Sequence, residues 1–79
     1  MDNRFKDMAT RIVNAETSFV STLREISGCT ENQGRAVMAF YLKNKLAKLS
    51  VGIGAISVTH GAYLEAGVIR NAIEMTKAA

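Results

Sequence analysis

The chain has 79 residues, of which 48% are hydrophobic and 22% charged, with a net charge of +3, no proline and one cysteine. This composition is too hydrophobic for a disordered chain and predicts one small domain, residues 1–79. A single cysteine and a single histidine exclude an internal disulfide and a four-ligand zinc site. A domain of this size buries little surface, so oligomerisation is the expected source of additional burial.

The first segment, residues 2–27, is predicted to form a long helix. Asp2 is the expected N-cap and Gly28 the expected left-handed residue at its end. At 1.5 Å per residue this helix is about 37 Å long, more than the width of the remaining domain, so we expect a two-fold homodimer through it. Its apolar residues recur at steps of three or four, at Phe5, Met8, Ile12, Ala15, Phe19, Leu23 and Ile26.

A second helix is predicted to begin at Glu31, because Thr30 and Gln33 have the spacing of a capping box. Its apolar face is broad enough to contact both other helices, and its polar remainder is almost wholly basic. Two groups of apolar residues form this face. One comprises Val37, Phe40 and Tyr41, and the other is a stripe of Met38, Leu42, Leu46 and Leu49.

From Lys48 to Thr59 the helical period stops, and β-branched or leucine residues alternate with serine, glycine and threonine. This alternation predicts a short hairpin that turns near Gly52 to Ala55, with a continuous loop across Gly52 to Gly54 as the alternative. A third helix is expected from about Tyr63 to Lys77. The predicted class is mainly α (small α+β), in the order α-α-β-β-α.

The predicted core combines the inward positions of all five elements. Burial of each such side chain stabilises the fold by roughly 1.5 to 3 kcal/mol. The candidates are Phe5, Ile12, Phe19, Leu23, Phe40, Leu42, Leu46, Val58, Val68, Ile69 and Ile73.

The net charge lies entirely in the middle of the chain, because the charges of residues 1–27 cancel and those of residues 62–79 cancel. A basic helix followed by a hairpin is compatible with binding to phosphates or to an acidic protein surface. The alternative interpretation is that these lysines lie on an ordinary solvated helix face. Lys45 and Lys48 are expected on one flank of the second helix. The candidate partner-binding residues are Arg35, Lys43, Asn44, Lys45, Lys48 and His60.

Catalysis is not expected. Cys29 and His60 are the one nucleophile and base pair, but the sequence shows neither an orienting third group nor an oxyanion site. We expect Cys29 to be a small residue in a turn and His60 to cap or leave the hairpin, with anion contact at His60-Gly61 as the alternative. The carboxylates are scattered, so no metal site and no cofactor are predicted.

No apolar run approaches the roughly 18 residues needed to cross a bilayer, and the N-terminal residues carry charges where a signal peptide is apolar. We therefore expect no membrane partner and a cytoplasmic location, which is the host cytoplasm if the chain is encoded by a phage.

Three stretches, Tyr41 to Leu49, Val58 to Glu65 and Val68 to Ala72, resemble short reading frames of tailed bacteriophages. The resemblance covers about the last half of the chain. It implies a small phage accessory protein, a class that often binds and inhibits host machinery, including nuclease and CRISPR-type defences. No activity and no functional residue follow from the resemblance.

Two functions are compatible with these features. The first is a non-enzymatic module, an inhibitor or adaptor, whose basic middle segment binds a host or phage protein. The second is a small nucleic-acid-binding protein that uses the second helix as reader and the hairpin as wing. The scarcity of Asn, Gln and Arg in the basic segment favours the first, because these side chains make the bidentate contacts to bases.

Overall fold

The structure is a computed structural model that describes residues 3–78, and it confirms the predicted class and the order α-α-β-β-α. The predicted cap at Asp2 lies outside the described residues. The elements are α1 (Asn3–Ser27), α2 (Glu31–Lys43), β1 (Ala47–Ser50), β2 (Ala55–Val58), a 3-10 turn (Gly61–Leu64) and α3 (Ala66–Ala78).

The helix α1 has a packed half and an uncovered half. From Ala15 onward it buries Phe19, Val20 and Leu23 among the other elements. Residues 3–14, here called the α1 arm, are exposed except for the half-buried Ile12. The molecule is 43 Å long and only 23 Å across, because the remaining elements are too short to cover α1. Phe5 is 73% exposed, so its predicted place in the core is wrong.

The turn between α1 and α2 follows the local signals in the sequence. Gly28 has a φ of +71°, the left-handed conformation that closes a helix, and its N–H donates to the Arg24 carbonyl at 2.8 Å. Both bonds of the predicted capping box are present. The Gln33 N–H donates to Thr30 Oγ1 at 3.2 Å, and the Thr30 N–H donates to Gln33 Oε1 at 2.9 Å.

The helices α1 and α2 approach most closely at Gly34. A Cβ atom placed on Gly34 would lie 2.9 Å from Val20 Cγ1, closer than two carbon atoms pack. Valine is stiff at χ1, so this neighbour cannot turn away without strain. The helix crossing therefore requires glycine at position 34.

The core lies where α2 crosses α1 and α3, and its largest buried side chain is Tyr41, only 1% exposed. Phe40 is half-buried instead, because the α2 face that enters the core is centred on Val37 and Tyr41. Phe19, Leu23, Ile69 and Ile73 are confirmed as buried. The other predicted core residues are half-buried, namely Ile12, Leu42, Leu46, Val58 and Val68.

The hairpin is confirmed, and the alternative of a continuous loop is wrong. The strands pair antiparallel from Ala47↔Val58 to Ser50↔Ala55, and the turn occupies residues 51–54. The second helix ends at Lys43, six residues before the predicted end of its stripe, and β1 begins within that stripe. Ile53 lies at the tip of the turn, within the predicted Gly52 to Ala55, and is 82% exposed.

The third helix begins at Ala66, three residues later than predicted. The chain first forms the 3-10 turn, in which the Glu65 N–H donates to the Ala62 carbonyl at 3.0 Å. Glu65 is extended, with φ −79° and ψ 143°, and its carbonyl accepts the first bond of α3 from Ile69. The apolar spacing of a 3-10 turn followed by a helix resembles that of one continuous helix, which explains why the predicted start was too early.

Gly34→Ala is expected to lower the free energy of unfolding by about 1 to 2 kcal/mol, because the added methyl meets Val20. Gly67→Ala in α3 is the matched control. A Cβ there has no neighbour within 4 Å, so the variant should gain roughly 0.5 to 1 kcal/mol from helix propensity. Urea unfolding of both variants measures the difference. A Gly34→Ala protein as stable as the Gly67→Ala protein contradicts the close crossing.

We propose that a second copy covers the apolar stripe of the α1 arm, where Phe5 is 73% and Met8 45% exposed. Most contacts to α1 lie on its other half, and the hairpin turn reaches the arm at Arg11, whose Nη1 donates to the Gly52 carbonyl at 3.4 Å. The elements within residues 3–78 leave Phe5 and Met8 exposed. The melting temperature should then rise with protein concentration. Phe5→Ser with Met8→Ser should yield a monomer in light scattering at tens of micromolar.

The control for this prediction is Met75→Ser on α3, which removes an apolar side chain that is 58% exposed and lies outside the arm. It should leave the dimer intact. A wild-type protein that is monomeric under the same conditions, with a melt independent of concentration, refutes the proposal.

Candidate functional site

The structure brings three of the predicted site residues together where α2 passes into β1. Lys43 is the last residue of α2, Lys45 lies in the turn and Lys48 lies in β1, all three exposed. The prediction that Lys45 and Lys48 lie on one flank of a helix is wrong, because the helix has ended before either residue. They are nevertheless neighbours, since both line one groove.

The end of α2 is a complete Schellman motif. The Leu46 N–H donates to the Tyr41 carbonyl at 2.8 Å, and the Lys45 N–H donates to the Leu42 carbonyl at 3.3 Å. Lys45 occupies the left-handed position of this motif with a φ of 63°. Glycine is the usual residue there, since the left-handed conformation costs other L-residues about 1 to 2 kcal/mol.

Asn44 is committed to the same helix end. Its backbone N–H and its side-chain Nδ2 both donate to the Phe40 carbonyl, at 3.1 and 2.9 Å. The amide therefore adds a second donor to a carbonyl that already accepts the Asn44 N–H. Asn44 helps to hold the lysines in place and has one donor fewer to offer a ligand.

The groove beside these residues, here called the lysine groove, has a volume of 370 Å³. Its floor is apolar, with Ala47 only 4% exposed and Leu42 and Leu49 half-buried. The neighbouring strand closes one end, where the Thr59 N–H and Oγ1 both donate to the Leu46 carbonyl, at 2.8 and 3.0 Å. The lining residues are Leu42, Lys45, Ala47, Lys48, Leu49 and Thr59.

The charged residues that line the lysine groove, Lys45 and Lys48, are both basic. The sequence has no aspartate or glutamate between Glu31 and Glu65, and no ion pair within residues 3–78 involves Lys43, Lys45 or Lys48. Two ammonium groups on one groove repel each other and attract anions. Lys43 lies at the end of α2, outside this lining.

Arg35 lies apart from the lysine groove. It is eight residues before Lys43 on α2, about 12 Å along the helix axis. Its Nη2 donates to Glu31 Oε1 at 3.2 Å, in an exposed i,i+4 ion pair. It lines a different groove, of 220 Å³ between α1 and α2, together with Arg24 and Glu16. The structure thus does not join Arg35 to the lysines.

His60 caps the 3-10 turn. Its Nδ1 accepts the Ala62 N–H at 3.1 Å, and its ring lies edge-on to Tyr63 with the centroids 6.1 Å apart. It is not among the residues that line the lysine groove. His60 therefore follows the hairpin and caps the 3-10 turn, whereas the sequence led us to expect a residue that caps or leaves the hairpin.

Tyr63 connects this turn to the core. Its carbonyl accepts the Tyr41 hydroxyl at 2.8 Å, and the two rings lie 5.8 Å apart. Burial raises the pKa of the Tyr41 phenol above its usual value of 10.0, and the neighbouring Tyr63 phenol raises it further. The folded state therefore favours the neutral hydroxyl that donates this hydrogen bond.

Cys29 is buried between α1 and α2, and its carbonyl accepts a hydrogen bond from Arg24 Nε at 3.3 Å. It lines no groove together with His60. In the part of the chain that the structure describes, no three His, Cys, Asp or Glu side chains converge as metal ligands would.

Sequence reasoning missed the apolar half of the lysine groove, because Leu42 and Leu49 were placed on one helical stripe. The available signal was Asn44 between two lysines, since asparagine often ends a helix and lysine favours the last turn. Reading a helix end there would have placed Leu49 on a strand.

Comparison with protein-family models, with curated proteins and with solved structures finds no match. No helix in residues 3–78 is long and apolar enough to span a bilayer.

Tyr41→Phe is expected to lower the free energy of unfolding by about 1 kcal/mol at pH 7, because the Tyr63 carbonyl loses its donor. Since the pKa of Tyr41 is higher in the folded protein, its contribution is complete below about pH 10 and is lost as the pH rises further.

The measurement is urea unfolding of both proteins at neutral pH and above pH 10. Lysine titration affects both proteins alike, so their difference isolates Tyr41. The gap between wild type and Tyr41→Phe should shrink at the higher pH, and a constant gap contradicts the raised pKa.

Proposed function

We propose that this protein is a non-enzymatic binding module that holds an acidic surface of another protein in the lysine groove. The observation that supports the proposal is the pairing of an apolar floor with Lys45 and Lys48 at its rim, without an acidic residue nearby. Protein-binding surfaces combine a buried apolar centre with polar groups at the edge.

An acidic protein is favoured over nucleic acid by the side chains in the groove and on the neighbouring helix. The two lysines that line the groove supply weak and salt-sensitive attraction to phosphates. Arg35 and Asn44, the side chains suited to bidentate contacts with bases, are engaged with Glu31 and Phe40. No aromatic residue lines the groove to stack on a base.

The mode of action that fits a chain of this size is steric. A binder without catalytic machinery acts by covering a functional surface of its partner or by bridging two partners. The resemblance to phage accessory proteins makes an inhibitor or adaptor of bacterial host machinery, such as a nuclease or a CRISPR-type complex, the specific form of the proposal.

Lys45→Glu with Lys48→Glu is the variant that tests the proposal. Both side chains are exposed, so stability should change by about 0.5 kcal/mol or less, while the charge of the groove reverses. The experiment is affinity capture from a nuclease-treated bacterial lysate, with the bound proteins identified by mass spectrometry. We expect an acidic protein that binds wild type and is lost on the variant.

The matched control is Arg70→Glu with Lys77→Glu, which changes the total charge equally at two exposed positions of α3, outside both the groove and the arm. It should retain the partner. Equal loss on both variants shows a nonspecific charge effect. A partner that is captured from an untreated lysate but not from the nuclease-treated one favours the nucleic-acid reading. Either result refutes the proposal.

A further inference from the structure

The backbone at Lys45 is the unusual feature of the lysine groove. Positive φ occurs at three residues in the described chain, and the other two, Gly28 and Gly54, are glycines. Gly28 ends α1 at the position that Lys45 has at the end of α2. The same fold thus uses glycine at one helix end and lysine at the other, although the left-handed conformation disfavours lysine.

The favourable effect of a cation near a helix C-terminus does not by itself account for Lys45. Lys43 already supplies a cation in the last turn of α2 without backbone strain. Lys45 differs from Lys43 in its location. Lys45 lines the groove together with Lys48, whereas Lys43 does not. Strained residues of this kind are concentrated at functional sites.

We infer that Lys45 determines what the groove binds, namely a peptide segment in which a carboxylate adjoins an aliphatic side chain. This inference rests on the proposed function and names the ligand group. The ammonium groups of Lys45 and Lys48 would receive the carboxylate, and the floor formed by Leu42, Ala47 and Leu49 would receive the aliphatic side chain.

The groove suits such a ligand in size and polarity. Its 370 Å³ lies at the lower end of the range for small-ligand sites, room for a side chain and its flanking backbone rather than a folded element. Hydrophobic contact supplies affinity, and the lysines select for negative charge beside it. The apolar floor alone does not distinguish this segment from an apolar peptide. The lysines alone do not distinguish it from a simple polyanion.

The experiment is an NMR titration of the isotope-labelled full chain with two capped probe peptides. The first probe is Gly-Glu-Leu-Glu-Glu-Gly, and the second replaces its leucine with serine. We expect saturable shifts of the Lys45, Ala47, Leu49 and Thr59 amides with the leucine probe. The serine probe should bind at least about fivefold more weakly.

Lys45→Gly separates the functional role of the residue from a structural one. It removes the ammonium group and relaxes the backbone, so the melting temperature should rise by a few degrees while the leucine probe binds about fivefold more weakly. Lys43→Ala is the matched control, which removes one neighbouring charge and should change affinity by less than about twofold.

The outcomes distinguish the inference from the proposed function. If both probes bind the groove equally, the aliphatic subsite is refuted while the acidic partner stands. If Lys45→Gly binds the leucine probe as well as wild type, Lys45 is not the determinant. If neither probe shifts the groove amides and single-stranded oligothymidine does, the proposed function fails as well.

Discussion

The rest of the structure depends on the burial of Tyr41. Its ring packs within 6.4 Å of the Phe19 and Phe40 rings and 5.8 Å of the Tyr63 ring, and its hydroxyl donates to the Tyr63 carbonyl. One side chain thereby ties α1, α2 and the 3-10 turn together. In a domain of 79 residues, a large aromatic group with a satisfied hydroxyl supplies much of the available apolar burial without leaving a polar group unpaired.

The same residue sets the position of the lysine groove. The Tyr41 carbonyl accepts the Leu46 N–H, which closes the Schellman motif and turns the chain from α2 into β1. The Leu46 carbonyl in turn accepts from Thr59, which anchors the second strand. The core and the candidate site are therefore structurally linked, because Tyr41 and the lysine groove both lie at the C-terminal end of α2. The left-handed Lys45 is held by these bonds on both sides.

The α1 arm, in contrast to the core around Tyr41, is a helical segment whose apolar side chains are mostly exposed. It has helical periodicity, but Phe5 and Met8 of its apolar stripe are exposed within the described chain. Helical propensity sustains such an extension only because α1 is already nucleated by its packed half. The arm and the lysine groove are therefore two separate surfaces, one apolar and suited to a second copy, the other basic and suited to an acidic partner.

The sequence by itself determined the class, the order of the elements, the start of α2 and the end of α1. It also determined the burial of Phe19, Leu23, Ile69 and Ile73 and the localisation of the net charge. These features depend on residues within about four positions of each other, as in the Thr30 capping box, or on a strong apolar period. Tertiary structure decided that Tyr41 is buried more deeply than Phe40, that the apolar stripe of the arm is exposed, and that Lys45 and Lys48 flank an apolar floor. Those features require partners distant in sequence, because the Tyr41 hydroxyl meets Tyr63 and the Leu46 carbonyl meets Thr59 only after the chain has folded.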